Sequence, residues 1–284
     1  MAIWADGYRL VADEVEGHRL GDLDDVWALW DGGPDMPASL RRAFAAARPV
    51  DDDAIAWRPS SLRPEKVLCI GRNYRAHAAE TGSDVPTIPI VFNKFPSTLT
   101  ASGATVPHPA ATEQLDYEGE LVVVMGRLAR DVSAADALSY VAGYTVGNDL
   151  SARDLQSRTS QWLLGKSLPG FGPIGPVVVT REELSDPAGL DLAVYRNGER
   201  VQHSSTDLMV FDVPTLIAYL SHILPLRPGD LIFTGTPDGV ILGKPAGERR
   251  WLQPGDRLEV TIEHIGTLVT LIGTSDVLGE EAPA

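Results

Sequence analysis

The sequence predicts a β-rich α+β fold with a small N-terminal domain (residues 1–62) and a larger domain (residues 63–284). Short apolar runs separated by glycine, proline and aspartate recur through the larger part, which is typical of strands joined by tight turns. Only residues 213–224 have the spacing of a clear amphipathic helix. With 44% hydrophobic residues, the chain of 284 residues can bury a sizeable core.

The first elements expected along the chain belong to the N-terminal domain. Residues 8–11 and 17–20 are predicted to form a strand pair, and residues 37–44 a helix. The larger domain is predicted to begin with a buried strand over residues 66–70. A strand framed by prolines, over residues 86–96, is expected at the edge of a sheet.

Between these two strands the sequence places an imidazole near a carboxylate. His77 and Glu80 are three residues apart in a predicted short helix that Gly82 ends, so they share one helical face. A carboxylate beside an imidazole raises the pKa of the ring, fixes its tautomer and makes it a better general base. Pairs at this spacing are also common on solvated helices, so the spacing alone leaves both interpretations open.

Three carboxylates lie at the ends of two predicted strands. Glu118 and Glu120 are two residues apart at the start of an apolar strand, so their side chains project from the same side. Asp149 ends a second apolar strand, over residues 140–148, and supplies a third carboxylate. Hard oxygen ligands of this kind suit Mg²⁺, Mn²⁺ or Ca²⁺ and leave coordination positions for water or a chelating substrate. An acidic, solvated strand edge is the alternative interpretation.

Further polar side chains lie in the loops that follow. Arg153 and Gln156 are three residues apart on a predicted helical turn, so they can share a face and reach toward whatever Asp149 helps to bind. Lys166 is the cation of a Gly/Pro-rich segment, residues 165–176, which is predicted to be an irregular loop. It either offsets the charge of an anionic ligand or lies in solvent, and composition does not decide between these.

The last third of the chain is predicted to be β-rich scaffold. An Asn-Gly pair at Asn197 and Gly198 predicts a hairpin with a type I′ turn. The amphipathic helix follows, and two Pro-Gly-Asp turns each precede a strand, over residues 231–234 and 257–262. Thr236 lies in the glycine-rich loop after the first of these strands.

Charge and composition limit the classes of function. The 39 acidic and 24 basic residues give a formal charge of −15, which argues against binding to nucleic acid or to an anionic membrane. The sequence has neither a signal peptide nor an apolar run of membrane-spanning length, so a cytoplasmic location is expected. Cys69, the single cysteine, cannot form an intrachain disulfide and is interpreted as a packing residue.

Five motif blocks, in order along residues 66–272, resemble the fumarylacetoacetate hydrolase superfamily, which includes acylpyruvate hydrolases and hydroxyhepta-diene-dioate isomerases and decarboxylases. The blocks are residues 71–80, 116–121, 147–156, 165–167 and 235–240. The resemblance implies a mixed, largely antiparallel β-roll around the site, a catalytic domain over residues 63–284 and usually a homodimer. In hydrolytic members, residues matching His77 and Glu80 activate a water molecule.

The resemblance also implies a ligand set and a substrate class. The metal, Mg²⁺ with Mn²⁺ or Ca²⁺ as alternatives, is bound by Glu118, Glu120 and Asp149. The substrate is a small anionic 2-oxo or 1,3-diketo acid, and Lys166 neutralises its oxyanion or positions it. The residues expected to contact the substrate are Arg72, Tyr74, Arg153, Gln156 and Thr236.

The leading hypothesis is therefore a divalent-metal-dependent hydrolase that cleaves a C–C bond in an acylpyruvate or related 1,3-diketo acid, leaving a metal-stabilised enolate. The alternative is a decarboxylase or a tautomerase of an oxaloacetate-like or hydroxymuconate-like 2-oxo diacid, since the same chemistry serves these reactions. A catalytically silent metal-binding protein is a remote alternative. Many members continue with Phe-Asp-Thr after Gly-Lys-Ser, whereas residues 168–171 here are Leu-Pro-Gly-Phe, which leaves the contacts of this loop open.

Overall fold

The computed structural model describes residues 2–4, 7–10, 14–15, 18–19, 37–50 and 64–275. The N-terminal elements are β1 (Ala2–Trp4), β2 (Gly7–Leu10), β3 (Glu14–Val15), β4 (His18–Arg19), α1 (Ala38–Ala45) and β5 (Arg48–Val50). Strand β2 pairs with β1 and β5, whereas β4 pairs with β3. The predicted pairing of residues 8–11 with 17–20 is therefore wrong, while the helix predicted over residues 37–44 is confirmed.

The larger part of the chain, residues 64–275, is made of strands with short helices between them. The helices are α2 (Arg75–Glu80), α3 (Arg153–Gln156), α4 (Leu163–Lys166) and α5 (Val213–Ile223). The strands are β6 (Val67–Gly71), β7 (Ile90–Lys94), β8 (Leu99–Thr100), β9 (Thr105–Pro107), β10 (Leu115–Asp116), β11 (Gly119–Met125), β12 (Val141–Asn148), β13 (Ser151–Ala152), β14 (Gly172–Thr180), β15 (Asp191–Arg196), β16 (Glu199–Ser205), β17 (Leu231–Phe233), β18 (Arg257–Ile262) and β19 (Gly266–Gly273).

Two sheets make up most of this part. A seven-stranded sheet has the order β7-β6-β17-β11-β12-β14-β8, and a five-stranded sheet has the order β16-β15-β18-β19-β9. Most neighbouring strands are antiparallel, but β6 runs parallel to β17, β8 to β14 and β9 to β19. The predicted β-rich α+β class, with mixed and largely antiparallel sheets, is confirmed, as is the edge position of β7.

Strand β11 lies at the centre of the larger sheet and is buried on both faces. Because successive strand side chains alternate, Leu121 and Val123 pack in one hydrophobic cluster, whereas Val122 and Val124 pack in a second. Cys69 is fully buried in the second cluster, which confirms its interpretation as a packing residue. Strands buried on both faces are the most rigid part of a sheet protein, so β11 gives the residues at its first end a fixed position.

Two local predictions differ from the structure. Glu118 precedes β11 instead of lying within it, between the short strand β10 and the start of β11. Residues 165–176 are not one loop, because Lys166 ends helix α4 and β14 begins at Gly172. Among the described residues, no helix is both long enough and apolar enough to cross a bilayer.

Candidate active site

Three buried carboxylates meet where β11 begins and β12 ends. Antiparallel pairing places Glu120 opposite Gly147, and the Asp149 N–H donates to the Glu118 carbonyl at 2.8 Å. Carboxylate oxygens of Glu118, Glu120 and Asp149 all lie within 4.8 Å of one another. The structure thus brings together the three residues that the sequence predicts as metal ligands.

Two of these carboxylates are paired with buried cations. Lys166 Nζ donates to Glu118 Oε2 at 2.8 Å and to Asp149 Oδ2 at 2.7 Å. Lys94 Nζ donates to the other oxygen of Asp149 and to the Leu150 carbonyl. Arg153 Nη1 lies 2.7 Å from Glu118 Oε1.

Glu120 is different from its two neighbours. Its Oε2 accepts the Gly235 N–H at 2.7 Å, but within the described parts of the chain no cation forms an ion pair with it. Burial raises the pKa of Glu120 well above its usual range, and the charges of Asp149 and Glu118 raise it further. For Glu118, burial also raises the pKa, but Lys166 and Arg153 outweigh it and hold the pKa well below its usual range.

Arg153 is also shared with a fourth buried carboxylate, Asp116, whose Oδ2 accepts from Arg153 Nε at 2.9 Å. Four buried carboxylates therefore face three buried cations, which leaves one negative charge without a partner. Burying an uncompensated charge is costly, so a further cation between Glu118, Glu120 and Asp149 relieves the repulsion. The donors are all hard oxygens, which fits Mg²⁺, Mn²⁺ or Ca²⁺ better than a soft metal.

The predicted His–Glu pair is formed on helix α2. His77 Nδ1 and Glu80 Oε1 are 2.8 Å apart, and both residues are mostly buried. Because an ionised carboxylate only accepts hydrogen bonds, it favours the tautomer that carries the proton on Nδ1. The other ring nitrogen, Nε2, is then the basic one.

One loop connects the His–Glu pair with the acidic triad. The Gly235 N–H donates to Glu120, and four residues later the Gly239 N–H donates to Glu80 Oε2 at 2.9 Å. Asn73 anchors this loop, because its Nδ2 donates to the Thr234 carbonyl at 2.8 Å. A Cβ on Gly235, whose φ is +99°, would lie 2.7 Å from the Asn73 Cβ, so this close approach needs glycine.

The residues predicted to contact substrate surround this centre in different ways. Arg153 Nη1 donates to Gln156 Oε1 at 3.0 Å, as their shared helical face predicts, and Arg153 Nη2 is buried with no partner among the described residues. The Tyr74 hydroxyl is also buried and unpartnered there. Burial raises the pKa of Tyr74, and Glu120 raises it further, so the phenol remains a proton donor. Unpartnered buried donors of this kind are available to a ligand.

Thr236 is already engaged by the protein. Its hydroxyl donates to the Gly119 carbonyl at 3.0 Å and accepts from Gln202 Nε2 at 3.0 Å. These bonds hold the glycine-rich loop against β11. The predicted contacts of Tyr74, Arg72 and Thr236 with substrate stay predictions.

Sequence reasoning missed three residues of the site. Lys94 carries one signal, because it is a lysine in a mostly apolar run, residues 88–96, that contains two prolines. Asn73 and Gln202 carry none, since their partners lie 161 and 34 residues away along the chain. Only the tertiary structure identifies them.

The geometry agrees with a family match. Residues 66–272 match the family model described as the C-terminal domain of fumarylacetoacetate (FAA) hydrolase. The chain belongs to the fumarylacetoacetate hydrolase family. The segment that matches includes the acidic triad, the His–Glu pair and the loop that connects them.

Named relatives in this family have several activities. Oxaloacetate tautomerase YisK from Bacillus subtilis is 46% identical over 215 residues, which is 74% of this chain and 71% of that protein. Fumarylacetoacetate hydrolase from Exiguobacterium antarcticum has a structure with a TM-score of 0.78 and 36% identity, covering 94% of this chain and 98% of that one. Fumarylpyruvate hydrolase from Pseudomonas aeruginosa, solved with Mn²⁺ and pyruvate, has a TM-score of 0.68 and 34% identity, covering 74% and 90%.

Proposed function

We propose that this chain is a divalent-metal-dependent enzyme that interconverts the keto and enol forms of a small 2-oxo diacid such as oxaloacetate. The observation that carries the proposal is the single loop that binds Glu120 through Gly235 and Glu80 through Gly239. It holds a base beside a buried acidic site. The 46% identity to a protein named oxaloacetate tautomerase favours this reaction over C–C bond hydrolysis, which is the leading hypothesis from the sequence.

The acidic triad is the proposed metal site. Glu118, Glu120 and Asp149 would hold Mg²⁺, with Mn²⁺ and Ca²⁺ as alternatives. When bound, the ion polarises the 2-oxo group and stabilises the negative charge that develops on its oxygen. Lys166, which bonds two of the same carboxylates, adds a second positive charge next to the substrate oxygens.

His77 and Glu80 are the proposed proton-transfer pair. Nε2 of His77 removes a proton from the carbon between the 2-oxo group and the distal carboxylate. The electron pair of that C–H bond forms the C=C bond of the enol, the 2-oxo oxygen takes up a proton from water, and the imidazolium returns its proton to water. Glu80 accepts the Nδ1–H and stabilises the imidazolium formed in this step. Arg153, with its unpartnered Nη2, and Gln156 would bind the carboxylate next to the 2-oxo group.

Hydrolysis of an acylpyruvate is the second candidate function. The same Nε2 would remove a proton from water, the hydroxide would attack the distal carbonyl, and the C–C bond would break to give a carboxylic acid and the enol of the 2-oxo acid. The structural neighbour solved with Mn²⁺ and pyruvate, a fumarylpyruvate hydrolase, favours this candidate.

One assay separates these reactions. Enol absorbance of oxaloacetate is followed with Mg²⁺ or Mn²⁺, and products of oxaloacetate, acetylpyruvate and fumarylpyruvate are identified by mass. We expect faster keto–enol exchange of oxaloacetate. Pyruvate plus an acid from an acylpyruvate would instead establish the hydrolase, and pyruvate plus CO₂ from oxaloacetate would establish a decarboxylase.

A matched pair of histidine variants tests the proposed base. His222 has the same contact as His77, since its Nδ1 lies 2.8 Å from Asp131 Oδ1, but its side chain is 75% exposed and far along the chain from the site. His77→Gln should lower turnover by about 100-fold or more, because a general base is lost, whereas His222→Gln should leave turnover unchanged. Equal turnover of His77→Gln and wild type would contradict the assignment of His77 as the base, and rates no faster than the uncatalysed exchange in both would favour a catalytically silent metal-binding protein.

The assembly and location of the protein stay predictions. A homodimer in the cytoplasm, with no nucleic-acid or membrane partner, is what the family resemblance and the charge of −15 favour. Light scattering of the purified chain measures its mass against the 30.5 kDa of one copy.

A further inference from the structure

We propose that Arg72 binds the distal carboxylate of the substrate and thereby selects 2-oxo diacids over 2-oxo monoacids. The distal carboxylate is the one separated from the 2-oxo group by the reacting carbon. This inference rests on the proposed function, because it assigns the second charged group of the same substrate to a residue of this chain.

Arg72 is a cation near the site that forms no ion pair with the described part of the chain. Lys94, Lys166 and Arg153 are each paired with a carboxylate of the buried centre. Arg72, in contrast, lies with its guanidinium 5.8 Å from the centre of the Trp162 ring. Within residues 37–50 and 64–275 it has no carboxylate or carbonyl partner, and it is partly exposed, so its N–H groups can reach a ligand.

Two chains of contacts connect Arg72 with the acidic triad. On one side, the following residue, Asn73, packs against Gly235, whose N–H donates to Glu120. On the other side, Trp162 makes an edge-to-face contact with Phe92 at 5.2 Å. The Phe92 ring in turn lies 5.0 Å from Lys166 Nζ, which bonds the triad.

The support beneath Arg72 is closely packed. A Cβ on Gly71 would lie 2.5 Å and 2.9 Å from two carbons of the Trp162 ring, so the indole rests directly on the backbone before Arg72. Arg72 itself has a φ of +57°, a left-handed conformation that is unfavourable for a long side chain and is often found at functional sites. Stacking on an indole fixes the plane of a guanidinium and leaves its edge free to bind a carboxylate with two hydrogen bonds.

The charge of the chain makes such a cation necessary for a diacid. A formal charge of −15 repels a dianion at long range, and the cations inside the centre are already offset by carboxylates. One carboxylate and the 2-oxo group of the substrate suit the metal centre. The second carboxylate needs its own partner, since a desolvated and unpaired charge is costly.

The test uses the full chain with Mg²⁺ and two matched pairs of ligands. Malate and lactate are unreactive 2-hydroxy acids that differ in the distal carboxylate, and calorimetry measures their dissociation constants. Oxaloacetate and its 4-methyl ester are the second pair, because the ester lacks the charge of the distal carboxylate. The kcat/KM of each is measured. The variants are Arg72→Asn, because asparagine tolerates a left-handed backbone, and Arg72→Lys, which keeps the charge. Arg127→Asn is the control, since Arg127 lies over Tyr140 at 5.1 Å at the other end of β11.

We expect wild type and Arg127→Asn to bind malate about 10- to 100-fold more tightly than lactate. Arg72→Asn should bind the two acids alike, and Arg72→Lys should be intermediate. The kcat/KM for oxaloacetate should fall by the same factor in Arg72→Asn, while that for the ester stays within about twofold.

Three outcomes would overturn the inference: no preference for malate in wild type, an unchanged preference in Arg72→Asn, or an equal loss of kcat/KM on oxaloacetate and its ester. Failure of the proposed function is a separate result. If wild type turns over neither oxaloacetate nor its ester but still prefers malate in an Arg72-dependent way, the binding assignment stands and the reaction assigned above is wrong.

Discussion

At the scale of single residues, Glu120 has the least favourable environment in the site. It is buried beside Asp149 and Glu118, yet among the described residues its hydrogen-bond partner is a backbone N–H, that of Gly235, and no cation forms an ion pair with it. A protein selected only for stability would not keep such a group, since neutral glutamine fits the same space and accepts the same hydrogen bond. The cost is understandable if a metal ion is bound there.

Glu120→Gln should therefore change stability and metal affinity in opposite directions. We expect the metal-free variant to be more stable than wild type by about 1 kcal/mol, because a buried repulsion is removed. We expect its affinity for Mg²⁺ or Mn²⁺ to fall at least about tenfold, because an ionic ligand is lost. Urea unfolding and calorimetric titration measure the two effects.

Asp149→Asn is the contrasting variant. Loss of the Asp149 carboxylate leaves two buried lysines, Lys94 and Lys166, without the negative charge that they share. We expect a loss of about 3–5 kcal/mol in the free energy of unfolding, as for other broken buried ion pairs. If Glu120→Gln destabilised the protein as much as Asp149→Asn, the interpretation of Glu120 as an uncompensated ligand would be wrong.

The acidic triad and the His–Glu pair show how much of the site could be predicted from the sequence. Glu118, Glu120, His77 and Glu80 form local patterns, two or three residues apart, and local geometry decides which face they share. The partners of the triad are different, because Lys94 reaches Asp149 across 55 residues. No local pattern encodes that contact, so the counter-charges of the site emerge only from the fold.

At the scale of elements, a short 3₁₀ helix, Ile241–Gly243, forms the wall behind the His–Glu pair. Asp116 holds this turn rigidly by accepting the Ile241 N–H at 2.9 Å and the Leu242 N–H at 3.0 Å. Gly243 faces the Glu80 carboxylate so closely that a Cβ there would lie 2.3 Å from Glu80 Oε2. Since the turn cannot yield, the carboxylate must move if the glycine is replaced.

Gly243→Ala is predicted to separate activity from stability. The atom displaced is the end of a flexible side chain, so the free energy of unfolding should change by less than about 1 kcal/mol. Loss of the bond from Glu80 to His77 should lower turnover by about 10- to 100-fold, with metal affinity unchanged. Gly247→Ala, in the next 3₁₀ turn where a Cβ meets nothing within 4 Å, is the control. Retained wild-type turnover in Gly243→Ala would mean that Glu80 does not orient His77.

Element prediction succeeded where periodicity and turn residues are strong. The Asn197-Gly198 hairpin and the helix at residues 213–224 are both present, and the two turn residues have the positive φ that their turn requires. The prediction for residues 165–176 is wrong, because the glycines and prolines there permit a helical turn and a strand, whereas composition predicts a loop. The strand pairing expected near the N-terminus failed because pairing depends on β5, which is distant in sequence.

At the scale of the whole molecule, the order of the strands could not be predicted. Strand β17 inserts between β6 and β11, and its parallel pairing with β6 joins Leu231 to Val67. This arrangement brings the loop after β17 to both the acidic triad and the His–Glu pair. Composition and periodicity indicate strands and their burial, but the choice of neighbours depends on contacts between distant parts of the chain.

Binding of a metal ion to the triad depends on the whole fold. Glu120 lies in β11 and Asp149 directly follows the neighbouring strand β12, so an ion that binds both binds only the folded chain. At about 100 times its dissociation constant such an ion stabilises the native state by about 2.7 kcal/mol. For a chain of this size that corresponds to a rise in Tm of about 4–5 °C.

Ionic strength must be controlled in this experiment, because the formal charge of −15 means that any salt screens self-repulsion and raises Tm somewhat. We therefore expect MgCl₂ or MnCl₂ to raise Tm clearly more than NaCl at equal ionic strength, and EDTA to reverse only that excess. In Glu120→Gln the excess should shrink or vanish while the NaCl effect stays, because screening does not depend on one buried ligand. Equal shifts in MgCl₂, MnCl₂ and NaCl in the wild type would show that the carboxylates bind no metal, and the proposed chemistry would lose its basis.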